Sequence, residues 1–305
     1  MSHLVIIEAT GFLHRAYHVV PDMRRYVDGA PIGAINAFCS MMWRIVHKFS
    51  HATHMVVVGD RGGRPTFRHR LDHRYKANRP PPKIELKTQL DMVEGVIAAF
   101  GLPYVAIAGV EADDIIATYA TQWMEAAAMA AAMPYGKVEC IASDLVTIIT
   151  NDKDMMQLVT DRIIIFDPVK EVFVDPNAVS AKFGVSPLQV SDWLALVGDS
   201  ADNVRGVQGI GPKTATKMLQ DFQDLEGIYD NLDKLVERHR NRLIEGKIPL
   251  LLAHALVSLK RDIEDLPEAF QFRFQRNRDW SALGRYCRDN NLEDLANRIE
   301  VQWYE

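Results

Sequence analysis

Acidic side chains stand at or just after the ends of short apolar runs along this chain. Glu8 follows Leu4–Ile7, Asp60 follows Met55–Val58, and Glu111, Asp113 and Asp114 follow Tyr104–Ala108. Asp152 and Asp154 follow Val146–Ile149. Asp199 and Asp202 lie three apart in Gly-Asp-Ser-Ala-Asp-Asn, a spacing that sets both on one side of a helix-like turn. Carboxylates gathered in one crevice repel each other unless cations sit among them, and all-oxygen donors select hard ions such as Mg2+ or Mn2+. Two such ions about 4 Å apart activate a water and stabilise a leaving oxygen, which is the chemistry of phosphodiester hydrolysis. Singly, the acids have plainer readings. Glu111, Asp113 and Asp114 could cap the helix that follows them, Asp152 and Asp154 could close a turn, and Asp60 could be a loop acid. All of these must hold together to remove the metal site, so the site is the better expectation.

The elements that position these acids follow from periodicity. The apolar runs, with Ile163–Phe166 as a fifth, are rich in β-branched residues and alternate with amphipathic stretches such as Ile32–Phe49 and Ile84–Phe100. This pattern predicts an α/β fold with a mostly parallel central sheet flanked by helices, its strand carboxyl ends sharing one edge where ligand sites form. From about Pro176 no strand is predicted and helical segments dominate. An α/β part is therefore placed at 1–175 and a helical part at 176–305, packed as one body. Met124–Pro134, with its alanine run, reads as a surface helix extension stopped by Pro134.

The 305 residues are 48% hydrophobic and 25% charged, enough for a substantial core. No apolar run approaches the roughly 18 residues of a membrane span, so no membrane association is expected. Met1–Ile7 lacks the basic start and cleavage site of a signal peptide. Cys39, Cys140 and Cys287 are odd in number and far apart, which fits a reducing cytoplasm and excludes a Cys-x-x-Cys zinc site. A net charge of −5 argues against a nucleic-acid partner only where charge is evenly spread, and here it is segregated. Between Arg61 and Arg79 seven basic side chains face the single acid Asp72, with Phe67 and Tyr75 interleaved. Arginines grip a phosphate backbone and aromatic rings stack unpaired bases, so this segment is expected to overhang the acids and bind a single strand.

Gly206-Val-Gln-Gly-Ile-Gly-Pro-Lys-Thr-Ala is not a Walker loop, because Pro212 precedes Lys213. It is a poor dinucleotide fingerprint, because Thr214 fills the third glycine position. Helical flanks at Val190–Val197 and Thr214–Phe222 make it a helix-hairpin-helix over about 190–222. Its Gly206, Gly209 and Gly211, with Lys213, Thr214 and Lys217, are expected to hold DNA phosphates without reading sequence. His14 and His18, and His69 and His73, have the spacing of helical metal pairs, but no Glu-x-x-His accompanies them. Packing is expected of the first pair and phosphate contact of the second.

Three segments carry a family resemblance: Gly109-Val-Glu-Ala-Asp-Asp-Ile-Ile-Ala, Thr150-Asn-Asp-Lys-Asp-Met-Met-Gln-Leu-Val, and the glycine hairpin with the acids before it. They resemble the 5′-3′ exonuclease domain of bacterial DNA polymerase I and the free-standing phage and bacterial 5′-nucleases of the flap endonuclease superfamily. Phe67-Arg68 and Tyr75-Lys-Ala-Asn-Arg79 are similar to that family's helical arch, here placed at about 61–100. The resemblance implies a PIN-like core, an arch threading the 5′ strand and a hairpin gripping duplex. One metal would belong to Glu8, Asp60, Glu111, Asp113 and Asp114, and a second to Asp152, Asp154, Asp199 and Asp202. Lys76 and Arg79 would steady the scissile phosphate, with Tyr75 stacked near it and Arg68 among the arch's contacts to DNA. The family's hairpin often holds K+. The implied substrates are 5′ flaps, nicks and free 5′ ends of DNA, with RNA primers, for a cytoplasmic monomer without polymerase activity. The chain departs from the family at Ile7-Glu8-Ala9, where the usual pattern is hydrophobic-Asp-Gly, and in the alanine-rich stretch before Val146, which resembles an insertion. Glu8 adds a methylene to a site intolerant of shifts, so weakened metal binding is expected. The alternatives are a DNA-binding homologue with weakened catalysis and a PIN-type ribonuclease, the second opposed by the hairpin and arch.

Overall fold

A computed structural model of the chain describes residues 2–20, 23–62, 64–131, 144–275 and 279–301. The first part runs β1 (His3–Glu8), α1 (Thr10–Val19), α2 (Gly33–Lys48), β2 (His54–Val58), α3 (Phe67–Leu71), α4 (Ile84–Ala99), β3 (Tyr104–Val105), α5 (Ala112–Ala131), β4 (Leu145–Ile149), β5 (Ile163–Asp167) and β6 (Val172–Val174). Then follow α6 (Pro176–Phe183), α7 (Val190–Val197), the short pair β7 (Gly198–Asp199) and β8 (Val204–Arg205), and α8 (Pro212–Phe222). The last helices are α9 (Leu225–Asp230), α10 (Glu237–Glu245), α11 (Lys247–Val257), α12 (Ser281–Asp289) and α13 (Glu293–Val301).

β1 is buried along its whole length, as a central strand covered on both faces must be. Its side chains alternate, Leu4 and Ile6 entering one core and Val5 and Ile7 the other. The sheet order is β3-β2-β1-β4-β5-β6, parallel throughout except for β6, which returns antiparallel to β5. Chain order moves outward from β1 to β3, then restarts on the other side of β1 with β4. That reversal opens a crevice at the carboxyl ends of β1 and β4, and Glu8 and Thr150 stand at its lip.

One face of the sheet is covered by α5, α7, α8 and α11, through residues such as Ile116, Trp123, Leu194, Leu219 and Leu256. The other is covered by α1, α2 and α4 and, returning from the end of the described chain, by α12 and α13 through Leu283, Leu295 and Ile299. Trp43 of α2 meets Trp280 edge-on at 5.3 Å to anchor that return.

The five predicted strands are all present, but Tyr104–Ala108 forms a ladder only over Tyr104–Val105, with Ala108 making a single parallel bridge to Arg61, and β6 was not anticipated. β7 and β8 are a two-residue antiparallel pair in the part where helices were expected to dominate and no strand was predicted. α4 buries Leu86, Val93, Val96 and Ile97 in the core, so the second half of the expected arch is a packed helix. The alanine-rich helix runs to Ala131; Pro134 and Cys140 lie outside the described residues.

A buried clamp ties the basic segment to both parts. Arg68 of α3 is 2% exposed and donates to both carboxylate oxygens of Asp114 at 2.7 and 2.8 Å. Its remaining donors reach the carbonyls of Leu256 (2.8 Å) and Ser258 (2.9 Å), at the end of α11. Asp114 also accepts from the Lys260 backbone N–H at 2.9 Å. A buried guanidinium survives only when its donors are satisfied in this way, and removing one partner strands the other charge. Arg68→Ala is expected to lower the free energy of unfolding by about 3–5 kcal/mol. The joint replacement Arg68→Met with Asp114→Leu should cost far less than the two single changes added together. Urea unfolding of the three variants checks both statements.

Candidate metal and nucleic-acid site

The predicted acids gather around the crevice beyond β1 and β4. Glu8 ends β1, and its Oε1 accepts from the Gly11 N–H at 3.0 Å while its Oε2 accepts from the Thr150 hydroxyl. Asp60, just past β2, accepts from the Ala112 N–H at 2.8 Å, which locks it to the start of α5. Asp113 follows in the first turn of that helix. Asp152 accepts from the Asp154 N–H at 2.8 Å in the turn after β4. Asp199 closes β7, and Asp202 lies in the loop before β8.

Crowding shows in the ionisation of these groups. Burial, with Asp152 and Asp60 nearby, pushes the Glu8 carboxyl up to about 7 against the pull of its hydrogen bond from Thr150. Burial, then Asp152 and Glu8, raises Asp113 well above the usual range. Burial, then Asp152 and Asp199, pushes Asp154 up to about 7. Asp154 also keeps a buried Oδ1 with no hydrogen-bond partner, and such an oxygen is costly unless something binds it.

Basic side chains neutralise the rest. Burial alone would raise Glu111, but Lys76 and Arg68 outweigh it and hold its carboxyl low. Lys76 Nζ stands 2.7 Å from Glu111 and 3.7 Å from Asp202. Its backbone sits at φ 54°, a left-handed conformation that bends the segment back over the acids. Arg79 pairs with Asp202, and Lys153 pairs with Asp199 at 2.9 Å. Among the described residues no three acidic, histidine or cysteine side chains close on a common point, so the acids frame the crevice without forming a finished ligand set. The oxygen-only donors, the orphaned Asp154 oxygen and the raised carboxyls fit hard divalent cations.

Three residues sit differently from their sequence reading. Asp114, grouped with the metal acids, has both oxygens taken by Arg68, and Arg68, grouped with the DNA contacts, is inside the protein. The guanidinium and carboxylate shield each other from water better than either could alone. Tyr75, expected to stack near the phosphate, is 3% exposed, its hydroxyl donating toward Glu111 at 3.1 Å and Asp202 at 3.0 Å. Polarity alone did not mark these positions, because their partners lie far along the chain. Sequence reasoning also passed over Thr150, Gly11 and Lys153. Thr150 and Lys153 share the Thr150–Val159 segment with Asp152 and Asp154, whose charges are the stronger local signal. Beside Asp60 lies a cleft of about 750 Å³ lined by His14, Arg61, Lys87 and Tyr104.

The glycine hairpin joins α7 to α8 as expected. A Cβ on Gly206 would lie 2.3 Å from the Val197 carbonyl carbon, so the hairpin closes only because that position is bare. Gly209 takes φ +84° at the exposed turn, and a Cβ on Gly211, before Pro212, would meet nothing within 4 Å. The N-terminus of α8 is thus open, with Lys213 exposed beside it. Lys217, one turn on, is paired with Asp221 at 2.9 Å. An unpredicted neighbour is Arg238 of α10, whose Nη2 lies 3.7 Å from where a Gly209 Cβ would be.

Comparison with known proteins agrees with this architecture. The family model of the 5′-3′ exonuclease N-terminal resolvase-like domain matches residues 3–184, and that of the 5′-3′ exonuclease C-terminal SAM fold matches 185–278. The 5′-3′ exonuclease of Aquifex aeolicus is 31% identical over 264 residues, covering 87% of this chain and 84% of its own. DNA polymerase I of Rhizobium leguminosarum is 37% identical over 269 residues, 86% of this chain and 25% of the polymerase. The chain thus spans about a quarter of the length of the polymerases it matches. The D15 protein of bacteriophage T5, crystallised with metal ions, shares the fold at a TM-score of 0.67 and 23% identity, over 85% of this chain and 90% of its own. Both domain patterns occur here in order, on the fold that carries them, and the chain belongs to the 5′-3′ exonuclease family.

Proposed function

We propose that this chain is a structure-specific 5′-nuclease. It hydrolyses DNA phosphodiesters at flaps, nicks and free 5′ ends, and RNA primers are among its substrates. It acts as a monomer in the cytoplasm, in primer removal and repair. The observation that carries this reading is the row of carboxylates along the β1/β4 crevice, including an unsatisfied buried oxygen on Asp154, under a segment bearing Lys76 and Arg79. Glu8, Asp60, Glu111 and Asp113 would hold one divalent ion, Mg2+ or Mn2+, and Asp152, Asp154, Asp199 and Asp202 a second. Bound there, such ions would supply an activated water and stabilisation of the leaving oxygen. Lys76 and Arg79, which stand against Glu111 and Asp202 at the crevice, would hold the scissile phosphate. Asp114 and Arg68 serve as the clamp that fixes the base of this segment. The cleft beside Asp60 has room for an unpaired nucleotide, with Arg61 and Lys87 for its phosphate and Tyr104 for its base.

The hairpin grips duplex DNA through backbone N–H groups around Gly209 and Gly211, with Thr214 and Lys213 at the α8 terminus, and the hairpin's carbonyls would hold K+. Arg238 adds a cation from a separate helix, while Lys217 contributes less because Asp221 already faces it.

Incubation of the protein with a 5′-flap duplex and Mg2+ or Mn2+ tests the reading directly. Release of the flap is expected; absence of cleavage with both metals, by protein shown to bind that DNA, would favour a DNA-binding homologue without turnover. Asp152→Asn should lower turnover by about 100-fold or more while leaving DNA affinity nearly intact. Lys213→Ala and Arg238→Ala should each flatten the dependence of log affinity on log salt by about 1 and weaken binding on every sequence alike.

Protons and metal ions compete for the same oxygens. Glu8 and Asp154 have folded-state values raised to about 7 from ordinary values near 4. Their contribution to stability is therefore complete below about pH 4 and is lost as pH rises through 7. The metal-free protein should accordingly gain on the order of 2 kcal/mol at pH 8 from Asp154→Asn, and much less at pH 5. Stabilisation by Mn2+ should grow between pH 6 and pH 8. Thermal melting with a chelator and with Mn2+ at these pH values measures both effects.

A further inference from the structure

Glutamate at position 8 looks like a defect in sequence, because its carboxylate reaches one bond further than an aspartate would. The geometry around it tells a different story. The Oε1 atom lies over Gly11, the second residue of α1, and takes that residue's N–H at 3.0 Å. A Cβ built on Gly11 would stand 2.2 Å from Oε1, 3.0 Å from Cδ and 3.3 Å from Oε2. No side chain other than glycine leaves room for the carboxylate where it is. On its far side Thr150, just past β4, donates to Oε2, so the group is held from two directions. The backbone at Gly11 is ordinary helix, so neither a turn nor a left-handed conformation calls for glycine there.

We propose that Gly11 and Glu8 are a matched pair: Gly11 provides the space for the longer side chain, and with Thr150 it sets the Glu8 carboxylate as a working metal ligand. Gly11 is a positioning residue, acting through Glu8. The inference rests on the metal-dependent reading above and adds what makes the glutamate compatible with it. It also reverses the expectation from sequence, since aspartate at position 8 is too short by about 1.5 Å to reach both the Gly11 N–H and the Thr150 hydroxyl.

The fold does not depend on this glycine. The atoms that a Cβ would displace are the far end of a flexible side chain, and alanine is the better helix former. Gly11→Ala should therefore melt no lower than the parent and yet disturb the carboxylate. Mn2+ binding to the full chain without DNA, measured by calorimetry, reads the effect in four proteins: the parent, Gly11→Ala, Glu8→Asp and the double variant. Gly11→Ala is expected to weaken Mn2+ binding about 10-fold with Glu8 present and less than about 2-fold with aspartate there. Glu8→Asp alone should weaken binding, not tighten it. Equal losses from Gly11→Ala in both backgrounds, no loss in either, or tighter binding in Glu8→Asp would each overturn the pairing. Flap cleavage by the parent, assayed in parallel, keeps the two questions apart: a parent that binds Mn2+ with this coupling but does not cut leaves the pair standing and removes the nuclease reading.

Discussion

The structure is organised around like charge held in too small a space. Carboxylates from the ends of β1, β2 and β4, from the start of α5 and from the β7–β8 loop share one crevice, and burial there works against their ionisation. Such a cluster is tolerable only if cations are supplied. In the protein alone they come from Lys76, Arg79 and Lys153, each set against one or two of the acids. The basic segment thus has a structural task of its own, as counter-charge to these acids. The net charge of −5 hides this arrangement, since the two signs are brought together by the fold and not by the sequence order.

Most of the acids were readable because each lies within a residue or a few of a short, β-branched apolar run that marks a buried strand, and Asp199 and Asp202 because they follow a helical stretch. Topology then does the rest: in a parallel sheet every such strand ends on the same edge. The hairpin was legible for a similar local reason, three glycines between two helical patterns. Arg68 and Tyr75 were misplaced because their roles depend on partners far away in sequence, Leu256 for one and Asp202 for the other. Nothing local separates an arginine that will meet DNA from one that will be sealed against an aspartate. β6 is only Val-Phe-Val, with two of its three residues exposed, too short to carry a periodic signal. The return of α12 and α13 to the face covered by α2 and α4 is likewise a packing outcome, set by shape more than by pattern.

The two halves of the protein divide the work by the kind of contact each can offer. The sheet edge presents side-chain oxygens, whose positions are fixed within narrow limits by strand register and by hydrogen bonds such as Asp60 to the Ala112 N–H. The hairpin presents backbone, which is indifferent to base identity and needs glycine only where chains touch or turn, at Gly206 and Gly209. Contacts of that kind position a phosphate chain without reading its sequence.

The clamp at Arg68 has a consequence for the order of events when the chain is made. Its carbonyl acceptor at Leu256 lies 188 residues further on, and the second, at Ser258, 190. Until that stretch has emerged, the guanidinium has Asp114 but lacks the carbonyls that complete its shell, and the segment bearing Lys76 and Arg79 has no fixed base. Contacts of such long separation form late in folding, because loop closure must precede them. A growing chain therefore carries its acids long before it carries the framework that aims them, and the crevice is complete only once Leu256 and Ser258 have been made.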